Sequence, residues 1–311
     1  MTTTETRKDN TPLGSPPTGA PPMDRRLGVA LVALGFGAAV VALVGPLVFG
    51  VIDYHASEGA VNQIIGGDVA GLFLVAPVSI LAGILVWRGR RAGPILAFGP
   101  AVYGLYMYSQ LALGGDVFRY PGNSERFFVL YLGLFLLAGA ITILSWRMVQ
   151  PDSLPATSRR MDRTLGIFFL VVAGFLAVGV HLPGLLDAWS ADPTGPEYLA
   201  DPVVFWLVKF MDLGLVVPGL VVAGVGILRR ARWADKIKYV AVGWAALLGA
   251  SVAGMAIVMQ ATNDPAGTLA NTIAFTVFAA IGLGMAWVVY RPVLGENQGK
   301  SESSPLAGRS R

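Results

Sequence analysis

Met23-Asp24-Arg25-Arg26-Leu27-Gly28 and Met161-Asp162-Arg163-Thr164-Leu165-Gly166 open two long apolar runs in almost the same words. Further along each run, PVSILAGILVWR (77–88) matches PGLVVAGVGILR (218–229) at an offset of 141 residues. Each opening leads into four apolar segments of about 20 residues, the length that crosses a hydrocarbon core of roughly 30 Å. The echo predicts a duplicated four-helix membrane unit. Four crossings are an even number, so both units enter the membrane in the same sense. The repeats are then parallel, related by an axis along the membrane normal, and such paired halves build sites at their interface.

The composition agrees with a membrane solvent. Hydrophobic residues make up 54% of the chain and charged residues only 14%, against about a quarter charged in soluble domains. Mean hydropathy is +0.63. Eight spans are expected, at 27–50, 64–87, 94–114, 126–146, 164–186, 203–228, 238–261 and 268–290. The organisation that follows is a polar tail (1–22), a first four-helix repeat (23–146), a linker (147–160) containing Pro151 and Pro155, a second repeat (161–292) and a second polar tail (293–311). The tails are too polar to fold alone.

The pI of 9.4 does not point to nucleic acid, because the basic residues fall in alternate loops. All 23 Lys and Arg except Arg119, Arg126 and Lys209 lie before segment 1, between segments 2 and 3, 4 and 5, 6 and 7, or after segment 8. The positive-inside rule therefore puts both termini in the cytoplasm, in a cytoplasmic membrane. The opposite loops are acidic, with Asp53, Glu58, Asp116, Glu125, Asp187, Asp192, Glu197, Asp201 and Asp264. They read as solvated loops or as a weak funnel for cations. Asp201-Pro202, Asp264-Pro265 and Ser124 read as helix N-caps at that face.

Ionisable residues at depth carry the functional reading, since burying them in a bilayer is costly. With segment 6 starting near Val203, Lys209 and Asp212 lie roughly 9 Å and 14 Å from the outer end. They are three residues apart and share a face. Asp68, early in segment 2, corresponds to Lys209 at the repeat offset. Two readings compete. Lys209 pairs with Asp212 or Asp68 as a structural clamp, or an Asp binds a proton or cation. Tyr103, Tyr106 and Gln110 follow i, i+3, i+7 spacing and form one polar-aromatic stripe. Ser251, Gln260, Asn271, Thr272 and Thr276 add polar groups on segments 7 and 8. They line a cavity or make interhelical hydrogen bonds. Pro77 and Pro218 occupy corresponding mid-helix positions and predict paired kinks.

Catalysis and cofactors find no support. Cysteine is absent, His55 and His181 have no second ligand at metal-ligand spacing, and neither HExxH nor a Walker motif occurs. The stretch from Asp68 through Pro77 to Arg88-Gly89-Arg90-Arg91, followed by Tyr103 and Tyr106, resembles uncharacterised polytopic membrane proteins of actinobacterial type. That resemblance implies the fold and location already derived, and no activity. The expected function is a non-enzymatic, multi-pass small-solute or ion permease with its site between the halves, at Asp68, Lys209, Asp212, Tyr103, Tyr106 and Gln110. Its partners are the bilayer and a small solute, proton or cation. The alternative is a membrane scaffold, sensor or accessory subunit.

Overall fold

The computed structural model describes residues 25–295, all of whose regular elements are helical. The expected tail at 1–22 lies outside the described residues, as does 296–311. Seven helices are long and apolar enough to cross a membrane. They are α1 (Arg25–Val44), α2 (Glu58–Trp87), α4 (Ser124–Met148), α5 (Arg159–Ala188), α6 (Pro202–Leu228), α7 (Ala234–Ala261) and α8 (Leu269–Gly295). The chain is a multi-pass membrane protein. The exposed faces of these helices are apolar, with Phe36, Phe73, Val129, Phe210 and Trp287 among the exposed side chains.

The segment expected at 94–114 is divided. Here α3 comprises Ala92–Leu96 and Phe98–Leu113, separated by Ala97. Pro100 has no N–H to offer Leu96 O, which interrupts the ladder at this point. The bonds Ala97 N to Gly93 O and Ala101 N to Ala97 O carry the helical path across. The longer piece has 16 residues, about 24 Å at 1.5 Å per residue and short of a full crossing by itself.

Several expected boundaries move. The end of α1 is Val44, six residues earlier than expected, because Gly45-Pro46 stops the ladder. Conversely, α2 begins at Glu58, where Ser57 accepts from Ala60 N as the N-cap. Asp68 is thus ten residues into its helix, about 15 Å along it. Asp201 caps α6 as expected, accepting from Val204 N at 3.1 Å. Asp264 instead closes a turn onto Ala266 N, and Thr268 Oγ1 accepts from Asn271 N at the start of α8. Ser124 begins a 3-10 turn and caps nothing. Val293–Gly295, expected in the second tail, continues α8.

The paired prolines do not simply kink their helices. A π-turn at Gly71–Val75 precedes Pro77, and another at Asp212–Val216 precedes Pro218. The wider turn makes room for a proline ring that would otherwise press on the carbonyl four residues back. A third π-turn, Phe175–His181, precedes Pro183 in the same way. After the first two, a 12-residue α-helix follows, Ala76–Trp87 or Val217–Leu228. Each ends in the same Schellman closure: Arg90 N bonds Leu85 O, and Ala231 N bonds Gly226 O. The residue that turns left-handed is Gly89 (φ 70°) in one and Arg230 (φ 54°) in the other.

Close packing also recurs. Gly83 of α2 lies against Gly28 O of α1, and Gly224 of α6 lies against Gly166 O of α5. A Cβ on any of these four would crowd the facing helix, as expected where small residues let membrane helices approach. At the centre, α3 and α7 face each other with Gly99 against Gly243. The α2–α7 contact is tighter still, since a Cβ on Gly66 would fall into the Gly254–Met255 backbone.

Hydrogen bonds tie the acidic loops to one another. Ser57 N donates to Asp201 Oδ2, Asn62 Nδ2 to Asp264 Oδ2, and Arg119 to Leu199 O. The basic loops meet at the other end of the bundle, where Lys238 bonds Asp162 at 2.8 Å and Arg232 bonds Asp152 at 2.6 Å.

Candidate functional site

Asp212 opens the π-turn of α6. The Tyr106 hydroxyl of α3 donates to its Oδ1 at 2.5 Å. His181 Nε2, at the end of the π-turn of α5, lies 2.9 Å from its Oδ2. A carboxylate only accepts, so Nε2 is the donor. The other ring nitrogen, Nδ1, is buried and makes no hydrogen bond. Three helices thus contribute one residue each to a Tyr–Asp–His chain that ends in an open nitrogen. Two of the residues sit on π-turns, which recur at functional sites.

Lys209 does not join this chain. It is 7% exposed, yet no carboxylate among the described residues is within ion-pair distance of it. Its Nζ lies over the Phe205 ring, 4.3 Å from the centroid. The expected clamp of Lys209 with Asp212 or Asp68 is therefore absent. One α-helical turn separates Lys209 from Asp212, but the π-turn that starts at Asp212 and the pull of His181 and Tyr106 direct the carboxylate elsewhere. Its Nζ instead takes the face of an aromatic ring on its own helix, the geometry of a cation–π contact.

Asp68 is 8% exposed, and its Oδ2 makes no hydrogen bond. The hydroxyls of Tyr54, Tyr103, Tyr108 and Tyr131 are within electrostatic reach of it. Tyr103 bonds Ser251 Oγ of α7 at 3.2 Å. Gly67, next to Asp68, leaves space that a Cβ would fill to within 3.4 Å of the same Ser251 Oγ. The stripe expected from the sequence divides. Tyr103 faces the Asp68 side and Tyr106 faces Asp212.

Gln110 completes the stripe near the acidic loops. With Tyr54, His55, Gln63 and Met107 it lines a cavity of about 70 Å³. That is room for about two waters at 30 Å³ each. Of the other polar residues expected at this level, Thr272 bonds Ala256 O at 3.1 Å, while Asn271 and Thr276 are exposed on the outside of the bundle. A larger open hollow of about 620 Å³ beside Trp287, Arg291 and Gly295 lies at the far end of α8. It is remote from every candidate residue.

His55 stands above this cavity in the loop between α1 and α2. Its Nδ1 is 2.7 Å from Tyr120 O and its Nε2 is 2.6 Å from Glu125 Oε2. Both partners only accept, so both ring nitrogens donate and the ring is an imidazolium. The Tyr120 carbonyl, and then the Glu125 carboxylate, push its pKa above the ordinary 6.5.

No cluster of three or more His, Cys, Asp or Glu able to hold a metal ion occurs among the described residues. Reading the sequence did not find His181 as the partner of Asp212, because spacing rules act along one chain segment and this pair joins two helices. The available signal was Leu182-Pro183 beside a histidine at membrane depth. No family model, curated protein or solved structure matches this chain.

Proposed function

We propose that the protein is a proton- or cation-coupled permease for a small solute, with its site between two four-helix halves. The observation that carries this reading is the Tyr106–Asp212–His181 chain. Tyr106 belongs to the first half, and Asp212 and His181 to the second. A proton taken up at His181 Nδ1 makes the ring a cation and tightens its pairing with Asp212. Release of that proton leaves a carboxylate held by one hydroxyl and one neutral ring. The two protonation states differ in how strongly the halves are tied, which is what coupling to a conformational change requires.

The parallel 4+4 repeat is supported by the constant spacing of π-turn, proline and Schellman closure in α2 and α6. It is also supported by the matching glycine contacts of α1 with α2 and of α5 with α6. In this reading α3 is the eighth crossing, its two pieces together long enough to span. An even count puts both termini on the side of the basic loops, the cytoplasmic side of a cytoplasmic membrane. The reading assigns no catalytic residue.

The test is flux in liposomes holding the full chain, with an internal pH-sensitive dye and a panel of solute classes. Proton movement accompanying one class, lost in Asp212→Asn and His181→Ala protein that still inserts and elutes as a single species, is the expected result. Equal dissipation of an imposed pH gradient by wild type and Asp212→Asn with every class would overturn it. The second reading, a membrane scaffold, sensor or accessory subunit, is favoured by the small size of the 70 Å³ cavity. It becomes the better account if that negative result is obtained.

A further inference from the structure

The end of α1 lies beside Asp68, whose unpartnered oxygen faces backbone carbonyls. The carbonyl groups at a helix C-terminus carry a partial negative charge. Most of those of α1 are satisfied by the chain that follows. Gly45 N bonds Val41 O, Phe49 N bonds Leu43 O, Gly50 N bonds Gly45 O, and the N–H groups of Val51 and Ile52 both go to Val44 O. Ala42 O is different. The residue four positions on is Pro46, which has no N–H to give.

Gly45 shows where these oxygens point. A Cβ built on it would stand 3.0 Å from Val41 O, 3.1 Å from Asp68 Oδ2 and 3.9 Å from Ala42 O. Asp68 Oδ2 thus comes in from α2 to the bare face of Gly45, where the carbonyls of the last turn of α1, Val41 O (already accepting from Gly45 N) and Ala42 O, also lie. Asp68 Oδ2 is buried without a hydrogen bond, and no Lys, Arg or His among the described residues pairs with it. The nearby side chains are neutral tyrosines. An ionised carboxylate facing a helix C-terminus adds like charge to like charge, a costly arrangement that a proton on the carboxyl or a cation between them relieves. Non-helical backbone at membrane depth is tolerated where it is buried in protein or lines a water-filled cavity. Helix C-terminal ends within the membrane coordinate sodium in some transporters.

We propose that Asp68, with the carbonyl oxygens of Val41 and Ala42, forms a binding site for a monovalent cation of the sodium class. Hard oxygen donors suit that ion, and a single carboxylate balances a single positive charge. Gly45 has no Cβ to press on these oxygens. The proposal deepens the permease reading by naming the coupling ion, but the site is defined by equilibrium binding and does not depend on flux.

The experiment uses the purified full chain in detergent, with radiolabelled sodium and with thermal unfolding in sodium, potassium or choline chloride at equal ionic strength. Saturable sodium binding and a saturable rise in unfolding temperature that choline does not reproduce are expected, because an ion that binds only the folded chain stabilises it. Asp68→Asn should abolish both effects, and its unfolding temperature without sodium should equal or exceed that of wild type. Gly45→Ala should weaken binding by filling the space, and Asp212→Asn should leave it intact. Acidification should weaken binding in wild type by protonating the carboxylate. Wild-type protein that binds no sodium overturns the site, as does sodium binding retained in Asp68→Asn. If Asp68→Asn does not fold, direct binding to wild type and its loss in Gly45→Ala decide the question. Sodium binding without solute flux would overturn the permease and leave the site standing. Flux without sodium binding would do the reverse.

Discussion

Asp212 begins the π-turn of α6 and divides its oxygens between Tyr106 and His181, whereas Asp68, three residues before the π-turn of α2, keeps one oxygen without a partner. The two helices are otherwise built alike, with the same π-turn, proline, 12-residue continuation and left-handed closure. Backbone architecture therefore does not decide what a buried carboxylate does. The neighbouring helix decides it. Beside Asp212, α5 delivers His181 from the end of its own π-turn. Beside Asp68, α1 stops at Val44 and presents carbonyl oxygens. One carboxylate takes hydrogen bonds from two side chains, and the other keeps one oxygen without a donor, beside the backbone carbonyls at the end of α1.

Beside Asp68, α2 and α7 meet backbone to backbone, so the most damaging substitution should fall at that contact. Gly66→Ala drives a methyl into the Gly254–Met255 backbone, where nothing flexible can yield. A loss of about 3 kcal/mol is expected, measured by unfolding in detergent. Gly71→Ala, which meets nothing within 4 Å, should cost little at a position one turn away. Equal costs at the two positions would mean that α2 and α7 are not in register as described.

Removing one arm of the Asp212 chain should have a smaller effect. Tyr106→Phe deletes the 2.5 Å bond while keeping the ring against Trp244. The expected cost is about 1 kcal/mol. The same change at Tyr103, whose hydroxyl meets Ser251 at 3.2 Å, should cost less, because no carboxylate is left short of a donor.

The smallest effect concerns the loop above both sites. The pKa of His55 is raised by the Tyr120 carbonyl and the Glu125 carboxylate. Its contribution to stability is complete below about pH 6.5, the ordinary value. It is lost as pH rises through the raised value, where the folded ring gives up its second proton. Asp53, Asp116 and Arg126 also lie on the two loops that meet here, and none of them replaces the two bonds. The unfolding temperature of wild type should fall across that rise relative to His55→Ala. Parallel curves for the two proteins would remove His55 as the fastener of the 45–57 segment.

The helices were legible because a bilayer demands long apolar runs and little else. Their ends were less so. Leu47-Val48-Phe49 extends the apolar run of α1, so hydropathy carried the helix to residue 50, although Gly45-Pro46 already marked the stop. The polar turn 58–63 reads as loop, yet it is helical because Asn62 and the Ser57 backbone find Asp264 and Asp201 on other loops. Lys209, Asp212, Tyr103, Tyr106 and Asp68 were visible as ionisable or polar residues in apolar surroundings. Their pairing was not, because it is set by which helices adjoin. The i, i+3 spacing of Lys209 and Asp212 suggested a bond that a π-turn and a histidine from α5 prevent.

The most direct test of this account is a pair of double-mutant cycles in detergent, combining Asp212→Asn with His181→Ala and, separately, with Lys209→Met. The account predicts a coupling of about 2 kcal/mol for Asp212 with His181 and almost none for Asp212 with Lys209. Strong coupling to Lys209, with little to His181, would make the buried charges of α6 a clamp within one helix and would contradict it.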